Sequence, residues 1–190
     1  MTRFGLPAAI LLATMLAAVP LQAAEVGGIR IEDQIRSGNT DLILNGAGIR
    51  TKLFFKVYVG ALYLPKRSGD ASAIIDAKES RRVVLHMLRD LNADSLFGAL
   101  LEGLKHNHSE AELSKLKPDI DELERIMRGI GTAKSGDVIG IDLTADGVNI
   151  IFNGQARGGV ASEAFPRALL KIWLGEKPAD SDLKRAMLGS

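Results

Sequence analysis

Alternation of apolar and polar side chains marks the longest strand-like stretch of the chain, residues 45–64. From Ile49 onward the odd positions read Ile49, Thr51, Leu53, Phe55, Val57, Val59, Ala61, Tyr63, and the even ones Arg50, Lys52, Phe54, Lys56, Tyr58, Gly60, Leu62, Leu64. Successive strand side chains point to opposite faces, so one face is nearly all apolar and the other is mixed. The mixed face is the place to look for chemistry. Asn45, Gly46 and Gly48 predict a turn ahead of this strand, where positive φ is open to glycine. Pro65 ends it, since proline donates nothing to a ladder. Residues 26–31 and 41–44 are short strand candidates leading in.

Elsewhere the apolar spacing changes to that of helices. Residues 71–77 predict a short helix and residues 82–89 another strand. Asn92 is a natural N-cap for a helix that places Leu96, Phe97, Leu100, Leu101 and Leu104 on one face. A second helical stretch starts near Ser109 and is re-initiated at Pro118, burying Ile120, Leu123, Ile126, Met127 and Ile130 before Gly129 and Gly131 end it. Residues 137–160 return to strands, with hairpin turns at Ala145-Asp146-Gly147 and Asn153-Gly154. Ser162 caps a helix holding Phe165, Leu169, Ile172 and Trp173, closed by Gly175, and Asp180 caps a last helix with Leu183 and Met187. Strands and helices are grouped, which predicts an α+β domain with an antiparallel sheet covered on one face by a layer of helices.

Composition narrows what such a domain can do. Arg3, an apolar run over residues 6–19 and the small Ala23 and Ala24 have the layout of a secretory signal peptide. Residues 1–24 are therefore expected to be cleaved and residues 25–190 exported, to a periplasm in a bacterial type of envelope. Pro7 and Pro20 leave the apolar run short of the ~20 residues a spanning helix needs, so no stable membrane span is expected. Without Arg3 the 24 basic residues fall to 23, equal to the 23 acidic ones. A neutral chain carries no bulk field for nucleic acid. It has no cysteine, which excludes disulfides, thiol catalysis and Cys-ligated metal. No GxGxxG, GxxxxGK[ST], HExxH or GxSxG occurs, and no cofactor is expected.

The polar candidates are few. His106 and His108 sit at a helix end where their side chains diverge, and no third ligand has suggestive spacing, so no metal is expected. His86, alternating with Val84 and Leu88, belongs either in the core with one hydrogen bond or under the helices. Asp121 and Arg125, with Glu122 and Glu124, read as a solvated helix face. Arg50 and Tyr58 remain. Either both cover apolar neighbours on a solvent-facing strand, or both face an apolar slot where a guanidinium fork and a phenol can grip an anion. Eight residues of straight strand would hold them about 26 Å apart, so a shared site needs a bend, expected near residues 51–53.

These residues carry a resemblance. The run Gly46-Ala47-Gly48-Ile49-Arg50, then Val57-Tyr58-Val59-Gly60-Ala61-Leu62-Tyr63-Leu64, the strand leading to Asp90, and Ser162-Glu163-Ala164-Phe165 through Ile172-Trp173-Leu174-Gly175 and Pro178 occur in the order found in the chalcone isomerase-like family. The chain resembles an exported bacterial member of it. The resemblance implies an open-faced β-sandwich with a hydrophobic cleft between sheet and helices. Plant enzymes of the family close a chalcone to a flavanone without a cofactor, while other members bind fatty acids. At the position of Tyr58 the isomerases carry threonine and the fatty-acid-binding branch tyrosine, which joins the arginine at the ligand carboxylate. His108, before Ser109-Glu110, stands where the isomerases have an active-site tyrosine, and Ile172 where they have a pocket hydroxyl.

The resemblance thus implies a cofactor-free binding protein for a fatty acid or similar amphipathic carboxylate, with Arg50 as anchor and Tyr58 as its partner. The alternative is a chalcone isomerase-type intramolecular lyase acting on an enone, with Arg50 stabilising charge that develops on oxygen. A scaffold protein without a ligand is a third reading, which a missing cavity beside Arg50 would favour. Protein partners are not specified.

Overall fold

A computed structural model describes residues 24–190, so residues 1–23, all but the last residue of the signal peptide expected over residues 1–24, lie outside the described residues. β1 (Ala24–Val26) and β2 (Ile29–Ile31) pair as a separate hairpin. β3 (Gln34–Ser37), β4 (Thr40–Lys52) and β5 (Phe55–Leu64) follow, then α1 (Ala71–Asp76) and β6 (Arg81–Met87). β7 (Leu91–Asn92) leads into α2 (Ala93–Asn107), α3 (Glu110–Lys115) and α4 (Lys117–Ile130), after which β8 (Thr132–Ala133) pairs back with β7. The meander β9 (Val138–Leu143), β10 (Gly147–Phe152) and β11 (Gln155–Ala161) precedes α5 (Phe165–Leu174) and α6 (Ser181–Met187).

Seven antiparallel strands form the main sheet in the order β11-β10-β9-β6-β5-β4-β3. Its inner face packs on α1, α2, α4, α5 and α6 through the main core, which includes Leu62, Leu85, Ile141, Val148, Leu104, Leu123, Leu169 and Met187. The outer face carries a smaller core of Leu42, Leu44, Val59, Ala61, Tyr63 and Val84, roofed by Ile31 of the β1–β2 hairpin. Alternating strand positions fill both cores, which is why all of residues 57–64 is buried.

The local signals for helix starts act as read. Asn92 Oδ1 accepts from Ser95 N at 2.8 Å, Ser109 and Glu112 form a capping box, and Asp180 accepts from Asp182 N and Leu183 N. Asn153 (φ 50) and Gly154 (φ 77) make the two-residue β10–β11 turn.

Several expectations are corrected. Asn45, Gly46 and Gly48 form no turn and have no positive φ, because they lie inside β4. Asn45 is instead a β-bulge between Leu44, opposite Tyr63, and Gly46, opposite Leu62. Its side-chain Nδ2 donates to Ser68 O (2.9 Å) and Met187 O (2.7 Å), and its Oδ1 accepts from Ser68 N. The glycines admit α6: a Cβ on Gly46 would lie 2.0 Å from the Ala186 carbonyl oxygen. The N-cap of α5 is Ala164, while Ser162 Oγ accepts from Phe165 N at 3.3 Å and donates to Asp119 Oδ2 at 2.7 Å. His86 is neither in the main core nor under the helices. It pairs in register with Val59 and Val138 on the outer face, half-buried, and desolvation lowers its pKa. The acidic face of α4 is solvated, as expected, and pairs as Lys117–Asp121, Arg125–Glu122 and Arg128–Glu124.

Candidate functional site

The bend lies where the distance argument needs it. Lys52 pairs with Phe55 across a two-residue turn, Leu53-Phe54, with Leu53 at φ 58. No glycine marks this turn, so a leucine adopts the left-handed conformation. Two residues later the register shifts: Thr51 is opposite Lys56, but Arg50 is opposite Tyr58. Val57 is the extra residue, and the bulge leaves both Val57 and Tyr58 on the helix side, in the main core. The residues that a straight strand would hold apart become direct neighbours.

Arg50 is 8% exposed, and its guanidinium carbon lies 5.7 Å from the centre of the Tyr58 ring. Its Nε is buried with no hydrogen-bond partner, and it forms no ion pair among the described residues. The nearby carboxylate of Asp180 is committed elsewhere: Oδ2 accepts from Thr51 N at 2.9 Å and Oδ1 from the first turn of α6. Trp173 Nε1 donates to the Tyr58 hydroxyl at 2.9 Å. Burial pushes the Tyr58 phenol up to about 12, against the opposing pull of Arg50's charge and the Trp173 bond. The phenol is therefore neutral at pH 7. Its lone pair serves Trp173, and its proton is left to be donated.

Three spaces with shared lining residues surround this pair. Arg50, Val57, Tyr58, Leu96 and Ile172 bound an apolar gap of about 20 Å³. It shares Leu85, Leu96 and Leu100 with a second gap of about 20 Å³ that runs deeper, to Met127, Ile150 and Leu169. On the solvent side Arg50, Lys52, Glu102, His106 and Pro178 line an opening of about 160 Å³, across which Lys52 and Glu102 stand 3.6 Å apart. Arg50 thus sits between an aqueous mouth and an interior with no polar lining. Each inner gap has room for about one water, so the interior is closed in this state.

A larger depression, about 580 Å³, is elsewhere, lined by His106, His108, Glu112, Lys171, Lys177 and Lys184. Several of its polar groups are already used. His108 Nδ1 bonds Leu104 O, Lys184 Nζ donates to Gly175 O, Asn107 Nδ2 donates to Gly103 O and Lys177 O, and Glu112 completes the α3 cap. It is an open, solvated basin with charges of both signs. Among the described residues no three His, Asp or Glu side chains cluster as metal ligands.

The sequence reading missed Trp173 as a member of the site, placing it only in the apolar face of α5. A signal existed, since a buried indole N–H needs an acceptor. It also missed Asp180's bond to Thr51, which ties α6 to the hairpin beside Arg50.

A family model described as chalcone isomerase-like matches residues 23–189. The chain belongs to the chalcone isomerase-like family. This chalcone isomerase-like chain is also similar in structure to a crystallised fatty-acid binding protein of Arabidopsis thaliana, with a TM-score of 0.67 over 85% of this chain and 92% of that one, at 16% identity. At that identity the likeness shows the fold: the family's curled antiparallel sheet with helices on one face, an open-faced sandwich. No match was found among curated proteins.

Proposed function

We propose that this chalcone isomerase-like protein binds a fatty acid or a similar amphipathic carboxylate, without a cofactor, in the cleft between sheet and helices. The observation that carries the reading is Arg50, a buried arginine with no ion-pair partner among the described residues, at the boundary between mouth and apolar interior. A buried charge is costly unless it is paired, and a carboxylate would supply the two-point partner that the guanidinium fork fits. Tyr58 stands beside it with a proton to donate. The printed description of the Arabidopsis neighbour as a fatty-acid binding protein supports the same reading.

The tail would run from Arg50 past Leu96 and Leu100 toward Met127 and Leu169. Ligand pockets typically need about 300 Å³ or more, so α2, which carries both leucines, must move outward on binding. The isomerase alternative has less support. Ile172 contributes no hydroxyl to the gap beside Tyr58, and His108 lines the separate basin with its Nδ1 on a backbone carbonyl.

Mass spectrometry of lipid extracted from the natively purified protein tests the proposal. A co-purifying long-chain carboxylate, absent from Arg50→Ala, is the expected result. Unchanged lipid content in Arg50→Ala would refute it. Conversion of a hydroxychalcone above the spontaneous rate, lost in Arg50→Ala, would favour the isomerase.

A further inference from the structure

The turn that brings Arg50 to Tyr58 also exposes three consecutive large apolar side chains at its tip: Leu53 (82% exposed), Phe54 (93%) and Phe55 (56%). These are the exposed large hydrophobics among the described residues. Water-facing phenylalanine at a turn contributes nothing to either core, and polar turn residues with low-cost positive φ would serve the hairpin better than Leu53 does.

Its surroundings are cationic. Arg89 stacks over the Phe55 ring at 4.7 Å, and Lys56 follows directly on β5; neither forms an ion pair among the described residues. Lys52, on the other side of the turn, is partly neutralised by Glu102. Asp90, beside Arg89, accepts from Ser135 N at 2.8 Å. An aromatic tip collared by lysine and arginine matches the layering of an anionic bilayer: acyl chains below, negative headgroups around. The tip also adjoins the mouth, since Lys52 lines the opening that leads to Arg50.

We propose that the Leu53-Phe54-Phe55 tip docks this protein on an anionic lipid surface, with Phe54 inserted among the acyl chains and Lys56 and Arg89 on the headgroups. Combined with the binding function proposed above, docking sets the mouth against the membrane, where an amphipathic carboxylate can pass between bilayer and cleft without crossing water. Docking itself depends only on the tip and its collar.

The test uses residues 24–190, which contain both cores and the whole sheet, and vesicles of phosphatidylcholine with about 30% phosphatidylglycerol. The parent should co-float with these vesicles, and its binding should fall on raising salt to about 0.5 M. Phe54→Ser should lower the partition coefficient about tenfold, and Lys56→Glu severalfold. Because the chain has no cysteine, Phe54→Cys can carry an environment-sensitive dye, which should shift to the blue on vesicles, while a dye on Gln155→Cys at the far sheet edge should not. Equal vesicle binding by parent and Phe54→Ser, or a dye at position 54 that stays in water, would overturn the proposal. So would a parent dimer that Phe54→Ser breaks, with no vesicle binding, because the tip would then be covered by a second copy. Arg50→Ala should still bind vesicles, and Phe54→Ser should still retain co-purified carboxylate, so the docking and binding proposals fail separately.

Discussion

Arg50 and Arg81 lie on the same face of the same sheet, 8% and 2% exposed, and each leaves its Nε without a partner. Their other nitrogens separate them. Arg81 Nη1 donates to Ile74 O (2.5 Å) and Ile75 O (3.1 Å), the carbonyls near the end of α1, so it neutralises a helix C-terminus and stitches α1 to β6. Arg50 has a tyrosine ring beside it, an apolar gap behind it and a mouth in front. A surface depression of about 340 Å³ also touches Arg81, but its guanidinium is turned to the helix. Burial of a cation is therefore uninformative by itself. What the charge is paired with distinguishes a structural arginine from one that waits for a ligand.

The largest effect that would break this contrast is on stability. Arg81→Ala should lower the unfolding free energy by about 3 kcal/mol, through a cavity and two buried carbonyls left without donors, with ligand retention kept in the folded fraction. Denaturant titration measures it, and a neutral result would remove Arg81's structural role. Arg50→Met should do the converse. Ligand affinity should fall about 100-fold, or roughly 2.7 kcal/mol, while the ligand-free protein should be as stable as the parent or more so, since an unpaired buried charge is gone. A loss of stability with affinity intact would invert the assignment.

Tyr58→Phe should weaken ligand binding by about 1 kcal/mol and leave the Trp173 N–H without its acceptor, a change visible in the Trp173 fluorescence. The smallest effect is confined to alkaline solution. Because burial raises the Tyr58 phenol to about 12 from its ordinary 10, the unfolded state loses its proton first as pH rises. The contribution is present below pH 10 and lost between 10 and 12. Tyr58→Phe should flatten that decline without abolishing it, because Tyr63 is also raised by burial.

Much of this was legible along the chain because it rests on local chemistry. Asn92, Ser109 and Asp180 cap helices through atoms two or three residues away. The strand alternation of residues 58–64 sorted correctly into two faces, but it put Val57 on the wrong one because of the bulge, and it could not say that the β1–β2 hairpin would bury the outer face. The glycines of β4 were misread as a turn because their cause, the approach of Ala186 from the far end of the chain, has no local trace.

The sequence by itself determined the alternation, the helix caps, the absence of cysteine and the presence of one arginine and one tyrosine in one strand-like stretch. Local hydrogen bonds and side-chain periodicity act over a few residues and survive in any one-dimensional reading. Only the tertiary structure decided that Leu53-Phe54 reverses the chain, that the Val57 bulge sets Tyr58 opposite Arg50, and that Trp173, 115 residues from Tyr58, takes the phenol's lone pair. It also decided that Arg81 has carbonyls to cap and Arg50 does not. Whether a buried charge is satisfied depends on atoms distant in the chain, and only packing brings them within reach.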